Sequence, residues 1–105
     1  MNQNITVIAR VRAKPGKEKE LREALLALVE PTRAEASCGN YDLHESIERP
    51  GLFFFHENWS SKDGLAQHFE TPHIKNTLAK TEALLAEPFE IHALSMISQP
   101  EVSRK

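Results

Sequence analysis

The chain has little of what several common classes of protein need. Its 105 residues include one cysteine and four glycines, and nowhere do eighteen apolar residues run together. Cys38 alone cannot form an internal disulfide or a multi-thiolate metal site, and without a long apolar run we expect no transmembrane helix. Thirteen basic and fifteen acidic side chains give a net charge of −2, with no basic block for phosphates. Nucleic acid and membranes are therefore not expected partners.

Familiar sequence signals are also missing. Residues 1–4 lack the basic and apolar regions of a signal peptide, so we expect a cytoplasmic protein. The chain contains no glycine-rich nucleotide loop and no Gly-x-Ser-x-Gly elbow, which disfavours nucleotide-dependent and serine-hydrolase chemistry. At this length we expect a single domain spanning residues 1–105, with a core over 5–98 and a flexible tail over 99–105.

Hydrophobic periodicity predicts four strands and two helical regions. Alternation predicts strands over residues 5–13, 41–47, 52–59 and 89–97, and spacings of three and four predict a helix over 21–32. Pro50 and Gly51 are typical central residues of the turn joining the second and third strands. Ser60 or Ser61 can cap a short helix, and Thr71 followed by Pro72 can start another that ends before Pro88.

The order strand, helix, strand, strand, helix, strand is that of ferredoxin-like βαββαβ folds, an α+β class with an antiparallel sheet. Helices cover one face of such a sheet. The other face should carry polar residues, yet the alternation places Ile8, Phe54, Leu94 and Met96 on or near it. Because a row of exposed apolar groups favours association, we expect a homodimer that packs through this sheet face.

The region from Glu57 to His73 holds the best candidates for chemistry. Glu57 shares the strand phase of Phe53 and Phe55, so it should point towards the helices. A buried carboxylate has a raised pKa and can act as a general base. Alternatively, Glu57 reaches the pocket rim or a helix-borne partner such as His68 or His73 and forms a structural bridge.

The other side chains of this region suggest a ligand pocket. Trp59 can wall a flat aromatic ligand or simply fill the core. His68 and His73 flank the Thr71-Pro72 restart, and either can exchange protons near neutral pH. No pair of histidines has a metal-ligand spacing, and His44 and His92 fall on strands at opposite edges of the predicted sheet. We therefore expect no metal site.

Together these segments resemble the antibiotic-biosynthesis-monooxygenase (ABM) domain family, and in particular its quinol-monooxygenase-like members. The resemblance covers nearly all of residues 5–98. It is carried by Thr32-Arg33-x-Glu35, Tyr41-Asp42-Leu43-His44, Glu57-Asn58-Trp59 and His68-Phe69-x-Thr71-Pro72-His73. It implies a dimeric ferredoxin-like α/β barrel with a pocket between sheet and helices in each protomer.

The resemblance also implies an activity. Some members of the family oxygenate quinols or polyphenols with molecular oxygen and no cofactor, because an ionised electron-rich phenol can itself reduce oxygen. The catalytic residues would then be His73, His68 and Glu57, which handle protons. The substrate-binding residues would be Trp59, Asn58, Phe55 and Phe69, with Asn58 orienting an oxygen atom.

Two departures and two alternatives remain open. This chain has Glu35-Ala36-Ser37-Cys38 where many relatives have Glu-x-Gly-Cys, and Ala9, His68 and Leu78 stand where haem-degrading relatives carry other residues, which disfavours haem degradation. A similar group isomerises small phosphorylated sugar-derived metabolites and shares Thr71-Pro72-His73-x-Lys75, in which Lys75 would hold the phosphate. The third possibility is a dimer that binds a hydrophobic metabolite without catalysis.

Overall fold

A computed structural model describes residues 4–98. The strands are β1 (Ile5–Arg12), β2 (Cys38–Glu45), β3 (Leu52–Trp59) and β4 (Glu90–Leu94). The helices are α1 (Glu18–Leu26), α2 (Val29–Arg33), α3 (Lys62–His68) and α4 (Pro72–Thr81), followed by a 3-10 turn over Glu82–Leu84. Within this part of the chain, no helix has the length and apolar character needed to cross a membrane.

The four strands form one antiparallel sheet in the order β2-β3-β1-β4. This order confirms the ferredoxin-like α+β prediction. It also puts β2 and β4 at opposite edges, so His44 and His92 are separated by the two central strands.

The core lies between the sheet and the helices. Strand pairing sets Val7 opposite Glu57 and Ala9 opposite Phe55, so these four side chains share the face that the helices cover. Val7, Trp59 and Leu21 of α1 are fully buried there. The intervening residues of each strand point to the opposite face, as a period of two requires.

The single helix predicted over 21–32 is two helices in the structure. Helix α1 ends at Leu26 and α2 begins at Val29. Pro31 explains the break, because it has no N–H to donate to the carbonyl of Ala27 and its ring crowds that carbonyl. The loop after α2 passes close to α3, and Glu35 and Ser37 line a groove with Ser61 and Gly64 there.

The fourth strand is shorter than the predicted 89–97. Leu94 pairs with Thr6, next to the first residue of β1, so the residues after Leu94 have almost no β1 backbone left to pair with. All five residues of β4 are exposed along this edge. The predicted tail over 99–105 lies outside the described residues.

Local sequence signals set the residues at which α3, α4 and β3 begin. Ser61 caps α3 by accepting a hydrogen bond from Gly64 N at 3.0 Å. Thr71 caps α4 by accepting one from Ile74 N, with Pro72 at the first helical position. The turn before β3 closes through Leu52 N and Arg49 O at 3.1 Å, with Gly51 at φ +94°. All three starts agree with the sequence prediction.

The second sheet face combines apolar and ionisable side chains. Ile8 pairs with His56 and His92, and Phe54 with Arg10 and His44, so these side chains line one surface. Leu94 continues it and is about half exposed in the single chain. The apolar character predicted for this face is confirmed.

Candidate active site

A cavity lies between the sheet and the helices, as the resemblance predicts. The space inside it that the centre of a water-sized sphere can reach is about 50 Å³. Its walls are mainly aliphatic and aromatic, and they include Val11, Leu25, Leu28, Phe55, Phe69, Ile74 and Phe89. The ionisable side chains on its walls are Glu57, His68 and Tyr41. The pocket therefore offers an apolar surface with a few polar groups, the usual character of a small-molecule site.

Glu57 is buried in the wall of this cavity. Its side chain enters from β3 on the helix-facing side, and the residue is only 3% exposed. Its Oε1 accepts a hydrogen bond of 2.8 Å from the indole Nε1 of Trp59. The alternative that Glu57 bridges to His68 or His73 is wrong, because the donor that it finds is Trp59 on its own strand.

Burial raises the pKa of Glu57 to about 7. The Trp59 hydrogen bond favours the charged form and opposes this rise in pKa, while the nearby charge of Glu35 adds to it. Within residues 4–98, no lysine or arginine forms an ion pair with Glu57. A carboxyl group in this state can both take and return a proton near neutral pH.

A second carboxylate joins the two histidines. Oε2 of Glu35 lies 2.8 Å from Nδ1 of His68 and 2.7 Å from Nε2 of His73. These three atoms, each of which could coordinate a metal ion, all lie within 4.8 Å of one another. Imidazole and carboxylate are metal ligands as well as proton carriers, so this cluster could hold an ion, although the sequence predicts no metal site.

His68 is held firmly by its neighbours. Its ring centroid lies 4.6 Å from that of Trp59 and 5.2 Å from that of Phe69, and its side chain is 2% exposed. Burial lowers the pKa of His68, and the hydrogen bond and charge of Glu35 oppose that change. Because His68 also lines the cavity, it connects the pocket to Glu35.

Glu35 extends this connection towards the surface. Its side chain is 13% exposed and that of His73 is 24% exposed. Glu35 also lines a shallow surface groove together with Ser37, Ser61 and Thr71. The hydrogen-bonded chain from His68 to Glu35 to His73 therefore runs from the cavity wall to partly exposed groups.

Six of the seven residues predicted for the site lie in or next to the cavity wall, in three positions. Glu57, His68, Phe55 and Phe69 line the cavity, while His73 lies behind His68 and reaches it through Glu35. Trp59 is fully buried behind Glu57 and His68 and is not part of the cavity lining. Its position supports these two side chains.

Asn58 is not in this site. As the neighbour of Glu57 in β3, it points to the opposite sheet face, where it accepts a bond from Thr6 Oγ1 and donates one to Asn40 Oδ1, each at 2.7 Å. The prediction that Asn58 orients a substrate oxygen in this pocket is corrected for that reason: adjacent strand residues face opposite ways.

Glu35 was not among the predicted site residues. It lies in the loop before β2, where no periodicity indicates the direction of a side chain. The available signal was its place in the Thr32-Arg33-x-Glu35 segment. Tyr41 was also missed; it stacks on Phe55 with ring centroids 4.6 Å apart, and burial raises its pKa.

Comparisons with known proteins identify similar sequences. The family described as "Antibiotic biosynthesis monooxygenase" matches residues 4–80. A Mycobacterium tuberculosis protein named "Putative monooxygenase Rv0793" is 35% identical over 99 residues, covering 94% of this chain and 97% of that protein. "Putative monooxygenase YcnE" of Bacillus subtilis is 31% identical over 87 residues, covering 83% of this chain and 92% of that protein.

Solved structures show the same fold. The structure of Rv0793 superimposes with a TM-score of 0.88 at 33% identity, covering 94% of this chain and all of that one. PA3566 from Pseudomonas aeruginosa gives a TM-score of 0.88 at 37% identity, covering 93% of this chain and 98% of the other. The chain therefore belongs to the antibiotic biosynthesis monooxygenase family.

Proposed function

We propose that the protein is a cofactor-independent monooxygenase that acts on quinol or polyphenolic substrates with molecular oxygen. The observation that carries this proposal is the apolar, aromatic-lined cavity with Glu57 and His68 on its wall. Such a pocket suits a flat, electron-rich ring. It presents a carboxyl group whose pKa of about 7 matches the task of taking a phenolic proton.

The reaction needs few protein groups. Glu57 takes a phenolic proton, and the resulting phenolate passes an electron to oxygen. The two radicals combine in a carbon–oxygen bond, and the peroxide takes up a proton. Loss of the C–H proton at that carbon then breaks the O–O bond, which leaves a carbonyl oxygen in the product and releases hydroxide, and a second proton turns the hydroxide into water. His68 supplies the proton to the peroxide, and Glu35 and His73 replace it. The apolar walls exclude bulk water from the intermediates.

The isomerase alternative has less support. Lys75, the residue that would hold a phosphate, is well exposed on α4 and forms an ion pair with Glu70 at 3.0 Å. No lysine or arginine is among the described residues that line the cavity. A phosphorylated substrate would therefore lack a cation in this pocket.

The proposal includes the assembly and the location. A second copy that packs on the sheet face around Ile8 and Phe54 would cover its apolar side chains and form a dimeric α/β barrel. Oxygen and a small aromatic substrate would be the partners, and the cytoplasm remains the predicted location.

Oxygen uptake tests the activity. Purified protein is treated with EDTA and mixed with a panel of mono- and polycyclic quinols in an oxygen-electrode cell, with product mass measured for added oxygen. We expect uptake and one added oxygen atom for at least one substrate. Glu57→Gln should lower the rate by about 100-fold or more, the usual contribution of a general base.

A matched control is Glu23→Gln, which removes an exposed carboxylate from α1 and should leave the rate unchanged. Absence of oxygen consumption with every quinol would contradict the proposal. Tight quinol binding without turnover would instead identify a non-enzymatic binding protein.

A further inference from the structure

The cluster of Glu35, His68 and His73 has the composition of a transition-metal site. We propose that these three side chains bind one divalent transition-metal ion of the zinc class. The ligand atoms would be Oε2 of Glu35, Nδ1 of His68 and Nε2 of His73, which converge within 4.8 Å. Two imidazoles and one carboxylate are an established ligand set for Zn²⁺, with a fourth position left for water or another ligand.

The charge of the region favours a cation. Glu35 and Glu57 place two carboxyl groups close enough to interact electrostatically. Across residues 4–98, the ion-pair partners of Glu35 are the two imidazoles, and neither carboxyl group has a lysine or arginine. A bound divalent cation would supply positive charge next to these two largely buried carboxyl groups.

The fold already aims the two imidazoles at one point. His68 ends α3 and His73 lies in the first turn of α4. Thr71 joins these helices, because its Oγ1 donates to the carbonyl of His68 at 2.7 Å and accepts from Ile74 N. Trp59 and Phe69 fix the ring of His68. Such supporting contacts are what orient the ligands in metal sites.

The other two ligands, Glu35 and His73, can shift position and can be reached from solvent. Tetrahedral Zn²⁺ holds its ligand atoms about 3.3 Å apart, whereas Oε2 of Glu35 lies 2.7 and 2.8 Å from the two nitrogens. Binding therefore needs each oxygen–nitrogen pair to separate by about half an ångström and the two nitrogens, which lie within 4.8 Å of each other, to take the same spacing. Glu35 and His73 are partly exposed, and the groove beside Glu35 provides an entry path from solvent.

Metal binding has a consequence that rests on the proposed function. A nitrogen that coordinates a metal cannot carry a proton. Zn²⁺ should therefore stop the proton supply through His68 and inhibit oxygen uptake, and EDTA should restore it. Binding itself is measured without substrate, so a failed metal proposal and a failed oxygenase proposal give different results.

Calorimetric titration of EDTA-treated full-length protein with ZnCl₂ tests the site, with the absorption spectrum of bound Co²⁺ as a second measurement. We expect one ion per chain, and visible Co²⁺ bands of tetrahedral intensity. Loss of a contact that only supports a metal ligand typically weakens binding by 10- to 100-fold. His73→Ala and Glu35→Gln each remove a ligand itself, so each should weaken Zn²⁺ binding by about 100-fold or more.

His92→Ala is the matched control. His92 Nε2 and Glu90 Oε1 lie 3.1 Å apart on β4 and offer the same two ligand types at an exposed position. Circular dichroism and thermal unfolding check that each variant folds. Unchanged Zn²⁺ affinity in folded His73→Ala protein, loss of binding in His92→Ala, or no saturable binding in the wild type would each overturn the proposal.

Discussion

The indole N–H of Trp59 donates a 2.8 Å hydrogen bond to the carboxyl group of Glu57, two residues earlier on the same strand. Both side chains are buried on the helix-facing side of β3. The bond supplies a donor to a carboxyl group that has no basic partner among the described residues. Trp59 thus acts on the cavity through Glu57 rather than by touching a ligand.

Replacing Trp59 by Phe should raise the pKa of Glu57 further. The hydrogen bond stabilises the charged carboxylate, so its loss favours the protonated form. A hydrogen bond to a charged group contributes about 1.5–3 kcal/mol, equivalent to roughly one to two pKa units. If Glu57 is the base, the acidic limb of the rate profile moves to higher pH by that amount, which steady-state kinetics across pH would measure.

Phe53→Leu is the control for this change. Phe53 is buried on the same face of β3, and its loss disturbs the core without removing a hydrogen bond from Glu57. It should lower stability and leave the acidic limb in place. An acidic limb that does not move in Trp59→Phe protein would show that another group controls it.

Glu57→Gln should make the protein more stable at alkaline pH. The folded pKa of Glu57, about 7, lies above its ordinary value of 4.5. Its contribution to stability is therefore fully present below about pH 4.5 and is lost as pH rises through about 7. The wild type should lose on the order of 3 kcal/mol from this group across that window, and Gln, which cannot ionise, should not.

Urea denaturation of both proteins at about pH 4.5 and about pH 8 measures the difference. The two unfolding free energies should be similar at the lower pH and separate at the higher one. Glu23→Gln controls for the loss of a surface carboxylate. Parallel pH curves for wild type and Glu57→Gln would refute the raised pKa. A variant that is more stable and less active would show that the buried acid is retained for function.

The fold was predictable because its signals are local. The strand alternation, the Ser61 and Thr71 caps and the Pro50-Gly51 turn each act within a few residues, and each is present in the structure. The same periodicity correctly predicts that the Glu57 side chain points towards the helices. It also predicts that Asn58 points away from the pocket, whereas the resemblance to the family implied that Asn58 binds substrate there.

The centre of the site could not be derived in this way. Glu35 is 33 residues from His68 and 38 from His73. It lies in an irregular segment, so neither strand nor helix period sets the direction of its side chain. The path of the chain after α2 brings it to His68 at the end of α3. Contacts of this kind depend on the packing of the whole domain.

Phe54→Asp tests the proposed dimer. Phe54 lies on the second sheet face in the central strand β3, beside Arg10 and His44. A carboxylate buried in an interface there would cost several kcal/mol, because the neighbouring Arg10 is already paired with Glu87 and Glu90. Sedimentation equilibrium should show a dimer for the wild type and a monomer for the variant. Leu26→Asp changes an exposed apolar residue on α1 and should stay dimeric; a monomeric wild type would exclude the dimer.

The turn before β3 gives a prediction about stability alone. Gly51 and Gly16 both have positive φ, +94° and +87°, so alanine at either position is strained by about 1 kcal/mol. A Cβ on residue 51 would also lie 2.6 Å from Cγ of Glu18, whereas one on residue 16 meets nothing within 4 Å. Gly51→Ala should therefore lower the free energy of unfolding by about 2–3 kcal/mol and Gly16→Ala by about 1.

The contact with Glu18 accounts for the expected difference between these two glycines. Moving Glu18 away would also break the 3.0 Å bond that its Oε1 accepts from Gly16 N. Glu18→Ala in the Gly51→Ala background removes the clashing Cγ, so chemical denaturation should find the double variant more stable than Gly51→Ala alone. Because the two positions interact directly, the effects should be non-additive. Additive losses would mean that backbone strain at Gly51, and not the contact with α1, sets the cost.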